Sequence, residues 1–126
     1  MTFRETLDKH LQAIQDRDLT ALAATLPDDE ICVVMSDGKV VRSVKEFVDA
    51  HRGWFAMKNW RLGIDPLCTY ETAGMGVAVM RLDYREEPPG RDPVRQASVL
   101  TLIFQKKKGR WVMVLDQNTP VKAPAA

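Results

Sequence analysis

Trp111-Val112-Met113-Val114-Leu115-Asp116-Gln117-Asn118-Thr119-Pro120 is the stretch on which the reading of this chain turns. An unbroken aromatic and aliphatic run leads into a carboxylate, two amides and a hydroxyl, and a proline follows. Continuous apolar character of this kind marks a strand buried on both faces. A carboxylate at the end of such a strand must be hydrogen-bonded, pocket-facing or solvated, because burying it unpaired is very costly. Residues 116–119 are therefore where a ligand would meet polar chemistry.

Upstream of that strand, everything from Trp60 onward reads as extended chain. The segments are Trp60 to Glu71, Gly76 to Glu87, Val94 to Lys107 and Arg110 to Thr119. Thr72-Ala73-Gly74, the run Pro88 to Pro93, and the turn around Lys106-Lys107-Lys108-Gly109 separate them, so an antiparallel meander is expected. The period before Trp60 is different. Thr2 and Glu5 have capping-box spacing, and Phe3, Leu7, Leu11 and Ile14 repeat at helical intervals. Asp18 can cap a second helix carrying Leu19, Leu22 and Leu26, stopped by Pro27. Ile31 to Met35, Asp37-Gly38 and Lys39 to Arg42 form a short hairpin. Ser43-Val44-Lys45-Glu46 then opens a third helix bearing Phe47, Val48, His51, Trp54 and Phe55.

The spacing predicts helices over 2–16, 18–26 and 43–57. Helices early and a long meander late give an α+β fold, with three N-terminal helices packed on the concave face of a strongly curved antiparallel sheet, a cone with an inside. The chain of 126 residues fits one domain over 1–120, with a flexible tail over 121–126.

Eighteen basic and seventeen acidic residues leave a net charge of +1, so no overall field draws the chain to nucleic acid or to a membrane. No segment approaches the roughly 18 apolar residues of a membrane span, and the first residues lack the apolar run of a signal peptide. A cytoplasmic location follows by default. Cys32 and Cys68 are then expected as free, buried thiols.

Arg17-Asp18-Leu19 with Leu22, Asp37-Gly38 before a capped helix, Phe47, His51, Trp54-Phe55, Trp60, Gly109-Arg110-Trp111 and the closing Asp116 to Pro120 occur in an order that resembles the nuclear transport factor 2-like superfamily. The resemblance is to its SnoaL-like or ketosteroid-isomerase-like stand-alone members. It implies a curved sheet wrapped around helices, a pocket open at one end and frequent dimerisation through the sheet. The superfamily includes isomerases, hydrolases, cyclases, transport adaptors and association domains, so it implies little about the reaction. Ketosteroid isomerases combine a carboxylate base with a tyrosine and a protonated aspartic acid. Here the only tyrosines are Tyr70 and Tyr84, both on strands, and that set is not reproduced.

Asp116 is the candidate catalytic carboxylate and His51 the candidate acid or base beside it, since a histidine titrates in the right range. Trp54, Phe55, Tyr84, Asn118 and His10 are the candidate ligand-binding residues. Residues 116 and 118 share one strand face, and His51, Trp54 and Phe55 share one helix face. The aromatic residues read equally well as core. There is no paired-histidine or paired-cysteine motif for a metal, no Gly-x-Ser-x-Gly elbow and no phosphate loop, so neither a metal nor a cofactor is expected.

Two functions remain open. One is a SnoaL-like protein that binds a small apolar molecule in the cone and performs isomerase-, cyclase- or hydrolase-type acid/base chemistry on it. The other is a non-catalytic association or adaptor domain. On the second long segment Ala78, Met80, Leu82 and Tyr84 suit the helix-covered face, while Val77, Val79, Arg81 and Asp83 form an outer face half apolar. A homodimer through that outer face is expected.

Overall fold

The structure is a computed structural model and describes residues 1–28 and 30–122. Helix α1, Phe3–Asp16, starts on the expected capping box: the Thr2 side chain accepts from the Glu5 amide at 3.1 Å, and the Glu5 carboxylate accepts from the Thr2 amide at 3.0 Å. It ends at Arg17, whose φ of 54° turns its amide back onto the carbonyls of Ala13 and Ile14. Helix α2, Leu19–Ala23, is shorter than the 18–26 predicted. After Ala23 the amides of Thr25 and Leu26 close onto carbonyls three residues back, and Pro27 disfavours helical backbone at the residue before it. Helix α3, Val44–Ala56, is capped by Ser43.

Six strands form one open, curved sheet: β1 (Glu30–Val34), β2 (Val40–Ser43), β3 (Trp60–Glu71), β4 (Met75–Glu86), β5 (Val94–Lys107) and β6 (Arg110–Pro120), in the order β2-β1-β6-β5-β4-β3. The four long strands form the expected meander. The sheet is nevertheless mixed rather than wholly antiparallel, because β1 runs parallel to β6, with Cys32 beside Leu115 and Val33 beside Asp116. Only short turns force antiparallel pairing, and these two strands are separated by most of the chain.

The α+β architecture is as read from the sequence. Phe3, Leu7, Ile14, Phe47 and Phe55 from the helices meet Ala78, Met80, Leu82, Leu100, Leu102 and Phe104 from the sheet. Both cysteines are free, but the expectation of burial fails: Cys32 is half-buried and Cys68 exposed. Cys68 lies on β3 at the edge of the sheet, just past a bulge after Pro66, where only one neighbouring strand covers it. Of the predicted tail, Val121 is still tied down through its amide to the Ala97 carbonyl at 2.9 Å, and 123–126 lie outside the described residues. Among the described residues no helix is long and apolar enough to cross a membrane.

One contact links the start of the chain to the sheet. Phe3 is fully buried, edge-on to Phe104 and tilted against Trp111, and its ring occupies the space above Gly76 where a Cβ would project. Gly76→Ala should therefore destabilise the fold by about 1–3 kcal/mol through overpacking. Gly74→Ala, two residues away with nothing near its Cβ position, should be close to neutral. Thermal unfolding of the two variants side by side checks this; equal melting points would remove the Phe3–Gly76 contact from the account.

Candidate functional site

Strand β6 carries the site, and its geometry depends on one irregularity. Phe104 pairs with Met113 and Ile103 with Leu115, leaving Val114 as the extra residue of a bulge. Before the bulge, Trp111 and Met113 face the core. A regular strand would continue with Leu115 and Gln117 on that face. The extra residue reverses the alternation. Asp116 then stands opposite Leu102 and Asn118 opposite Leu100, both buried, so the polar pair is turned into the concave side of the sheet.

There they line a cavity of about 270 Å³. Leu11 and Ile14 of α1, Phe47, His51 and Trp54 of α3, and Leu62, Ile64, Leu82 and Leu100 of the sheet supply apolar and aromatic walls. Met35, Ser36 and Ala50, all exposed, border it and mark the side facing solvent. Few polar groups in a mostly apolar wall is the composition of a small-molecule pocket.

Two of the polar groups, on Asp116 and Asn118, lack protein partners among the described residues. Among the described residues the Asp116 carboxyl makes no hydrogen bond or ion pair, and burial alone pushes its pKa up to about 7. Asn118 Oδ1 is the one buried side-chain polar atom there without a partner. His51 is held differently: its Nδ1 lies 2.8 Å from the Phe47 carbonyl, which can only accept, so Nδ1 carries the hydrogen and Nε2 is the acceptor of the neutral ring. Burial lowers the His51 pKa, the Phe47 bond partly opposing it, so the ring stays neutral at pH 7. The ring packs on Phe47 at 4.1 Å and meets Trp54 edge-on at 5.7 Å. The cavity thus holds a carboxyl that exchanges its proton near neutrality, a neutral imidazole and an unsatisfied amide oxygen.

Four of the seven residues singled out in the sequence, Asp116, Asn118, His51 and Trp54, border this cavity, and three do not. His10 is buried in the core, where its Nδ1 donates to Thr25 Oγ1 at 2.7 Å while that hydroxyl donates to the Leu22 carbonyl. Burial lowers its pKa to about 3. Phe55 is buried among Trp54, Trp60 and His51. Tyr84, half-buried, donates its hydroxyl to Glu86 Oε2 at 2.6 Å, so its polar tip is satisfied by a neighbour on its own strand. Sequence reasoning missed Ser36 and Met35, the exposed end of the β1 hairpin; the only signal was proximity to Asp37-Gly38, which does not reveal that β1 lies beside β6. Among the described residues no cluster of three or more histidine, cysteine or acidic side chains could hold a metal.

A SnoaL-like domain model matches residues 4–118, and the chain belongs to that family. None among the curated proteins matches it in sequence. Solved structures share the fold at low identity. A ketosteroid isomerase-like protein from Erwinia carotovora atroseptica is 12% identical, with 95% of this chain and 94% of that one covered and a TM-score of 0.76. The association domain of CaMKII from C. elegans is 15% identical over 92% and 91%, with a TM-score of 0.69. A protein with a cystatin-like fold from Caulobacter vibrioides is 19% identical over 94% and 87%, with a TM-score of 0.79. Identities this low show the shared fold and no more.

The Asp116 environment sets a sign for the pH dependence of stability. A carboxyl whose folded pKa is raised from 3.8 to about 7 stabilises the fold while protonated, and that contribution is lost as pH rises from about 4 through 7. Asp116→Asn cannot ionise. The variant should match the wild type near pH 4 and exceed it near pH 8, by an amount on the order of a few kcal/mol. His10, whose lowered pKa costs stability as pH falls from 6.5 toward 3, acts equally in both proteins and cancels in the comparison. Chemical denaturation across this range checks it; a difference that does not change with pH would mean that Asp116 is not held in an apolar setting.

Proposed function

We propose that this SnoaL-like protein binds a small, largely apolar molecule with a polar end in the cavity between α3 and the sheet, and that Asp116 and His51 can exchange a proton with it. The observation that carries the reading is the unpartnered pair on β6. A carboxyl and an amide oxygen turned into an apolar cavity cost stability, and a ligand that hydrogen-bonds to both offsets that cost. A carboxyl titrating near pH 7 beside a neutral imidazole is suited to general acid/base chemistry of the isomerase, cyclase or hydrolase type. Asn118 would orient the polar end, and Trp54 would supply a flat apolar wall.

2-Naphthol, a flat apolar molecule with one hydroxyl, is a suitable probe. Its binding to the wild type should vary with pH around 7, following the Asp116 proton. Binding to Asp116→Asn should be about tenfold weaker or more where the carboxylate is charged, and nearly flat with pH. Fluorescence titration alongside melting points at pH 5 measures both. Equal binding by a stably folded variant would make Asp116 a structural residue and withdraw the site.

A second reading, a non-catalytic association domain, is favoured by the outer sheet face. Val77, Val79, Thr101 and Ile103 lie half-buried on neighbouring strands there, Val79 opposite Thr101 and Val77 opposite Ile103. Covering that face with a second copy would bury them. The two readings are compatible, since dimerisation on the outside leaves the inner cavity free. Light scattering should give about twice the 14.2 kDa chain mass, and Val79→Glu should shift it to the monomer value. A monomer at every micromolar concentration would end the association reading.

A further inference from the structure

A second cavity, of about 780 Å³, lies at the β3 edge of the sheet beside the end of α1. Its lining differs in kind from the first. Arg17, Lys58, Arg61 and Arg85 bring four cationic side chains to it, against the single carboxylate of Glu87, and Gln15 and Asn59 add two amides. The chain as a whole is nearly neutral, so this is a local concentration of charge.

We propose that this second cavity is an oxyanion-binding site that accepts a phosphate- or carboxylate-bearing small molecule. The arginines are arranged at a cost that such a ligand would relieve. Arg61 on β3 lies directly opposite Arg85 on β4, and Arg85 directly opposite Arg95 on β5, so three guanidinium groups stand in one row across the sheet. Like charges directly opposite on neighbouring strands destabilise the pairing. Asp83 offsets part of this, reaching Arg95 at 3.3 Å and Arg85 at 3.9 Å, but it is one carboxylate among these arginines, and Arg61 makes no ion pair among the described residues.

Arg17 is already in place for such a role. Its guanidinium lies over the Trp60 ring, 4.0 Å from the centroid, and donates to the Trp60 carbonyl and, at 3.3 Å, to the Met57 carbonyl. Those bonds fix its position without neutralising its charge, and no carboxylate pairs with it among the described residues. Arg17, Arg61 and Arg85 all line this cavity, and guanidinium groups are the donors that phosphate and carboxylate groups accept from.

The anion has two sources that the structure allows. Leu62 lines both cavities, and Gln15, which lines the second, donates to the Leu62 carbonyl at 2.7 Å. Trp54, which borders the first cavity, stacks at 4.2 Å on Trp60, which borders the second. The anion is then either the charged end of a molecule whose apolar part occupies the first cavity, or a separate small molecule. The first alternative rests on the function proposed above; the anion site itself does not.

Inorganic pyrophosphate tests the site by isothermal titration calorimetry on the intact chain. One pyrophosphate per chain should bind, more weakly as salt increases. Arg61→Gln and Arg85→Gln, both exposed and expected to fold, should each weaken it about tenfold or more, the ratio for one lost charge-assisted contact. Lys45→Gln and Arg52→Gln on α3 remove the same charge at exposed positions that do not line the cavity and should leave it within about twofold. No saturable binding, or equal weakening by the α3 variants, overturns the proposal. Hexyl phosphate against inorganic phosphate separates the sources. A tighter alkyl ester whose advantage disappears in Ala50→Phe, which narrows the first cavity, assigns the anion to the first-cavity ligand. Equal affinities that still fall in Arg61→Gln keep the anion site and assign it to a separate molecule.

Discussion

A single extra residue in β6 decides what the inside of this protein is made of. With Trp111 and Met113 fixed in the core, strict alternation would turn Leu115 and Gln117 inward and expose Asp116 and Asn118. The bulge at Val114 inverts that outcome, and every other feature of the cavity is arranged around the result. Leu100 and Leu102 become the neighbours of an amide and a carboxyl rather than of further aliphatic side chains. β1, running parallel to β6 with Val33 beside Asp116, closes one side, and its exposed end supplies Met35 and Ser36 to the border of the cavity. Bulges of this kind bend a strand and re-aim side chains at the cost of ladder regularity.

The cost is visible in the electrostatics. Asp116 has walls of leucine, isoleucine and aromatic rings about it and no partner among the described residues, so its proton is retained to near neutrality. The fold could have satisfied that carboxyl, as it satisfies others: Asp18 caps α2 and Glu5 completes a capping box. Tyr84 and His10 are satisfied in the same way, by Glu86 and by Thr25. Against that background of saturated polar groups, two unsaturated ones on adjacent inward positions of one strand stand out.

Stacked side chains link the two concave regions. Arg17 lies over Trp60, Trp60 on Trp54, Trp54 against His51, and His51 on Phe47. This row runs from the cationic edge of the sheet to the wall of the inner cavity.

Elements with strong local signals were legible from residues alone. The Thr2–Glu5 capping box, the Ser43 cap, the change from helical to alternating period at Trp60 and the glycine turns placed α1, α3 and the four long strands to within a residue or two. The inward set Ala78, Met80 and Leu82 followed from alternation along a regular strand. Less could be read where local preference and tertiary context disagree. Leu26 continues a helical stripe, yet Pro27 ends the helix early, and Cys68 has strand character but an edge position. For the site, the sequence determined that Asp116 and Asn118 share a face and that His51 and Trp54 share another, because periodicity is a local property of backbone geometry. Which way those faces point was decided only in the tertiary structure. The bulge is set by pairing with β5, and the parallel neighbour β1 arrives from the far end of the chain. His10 likewise turns to Thr25, a partner that spacing does not identify, whereas Tyr84 meets Glu86 two residues along its own strand. Alternation fixes relative orientation along a strand, whereas inside and outside are defined by what packs against it.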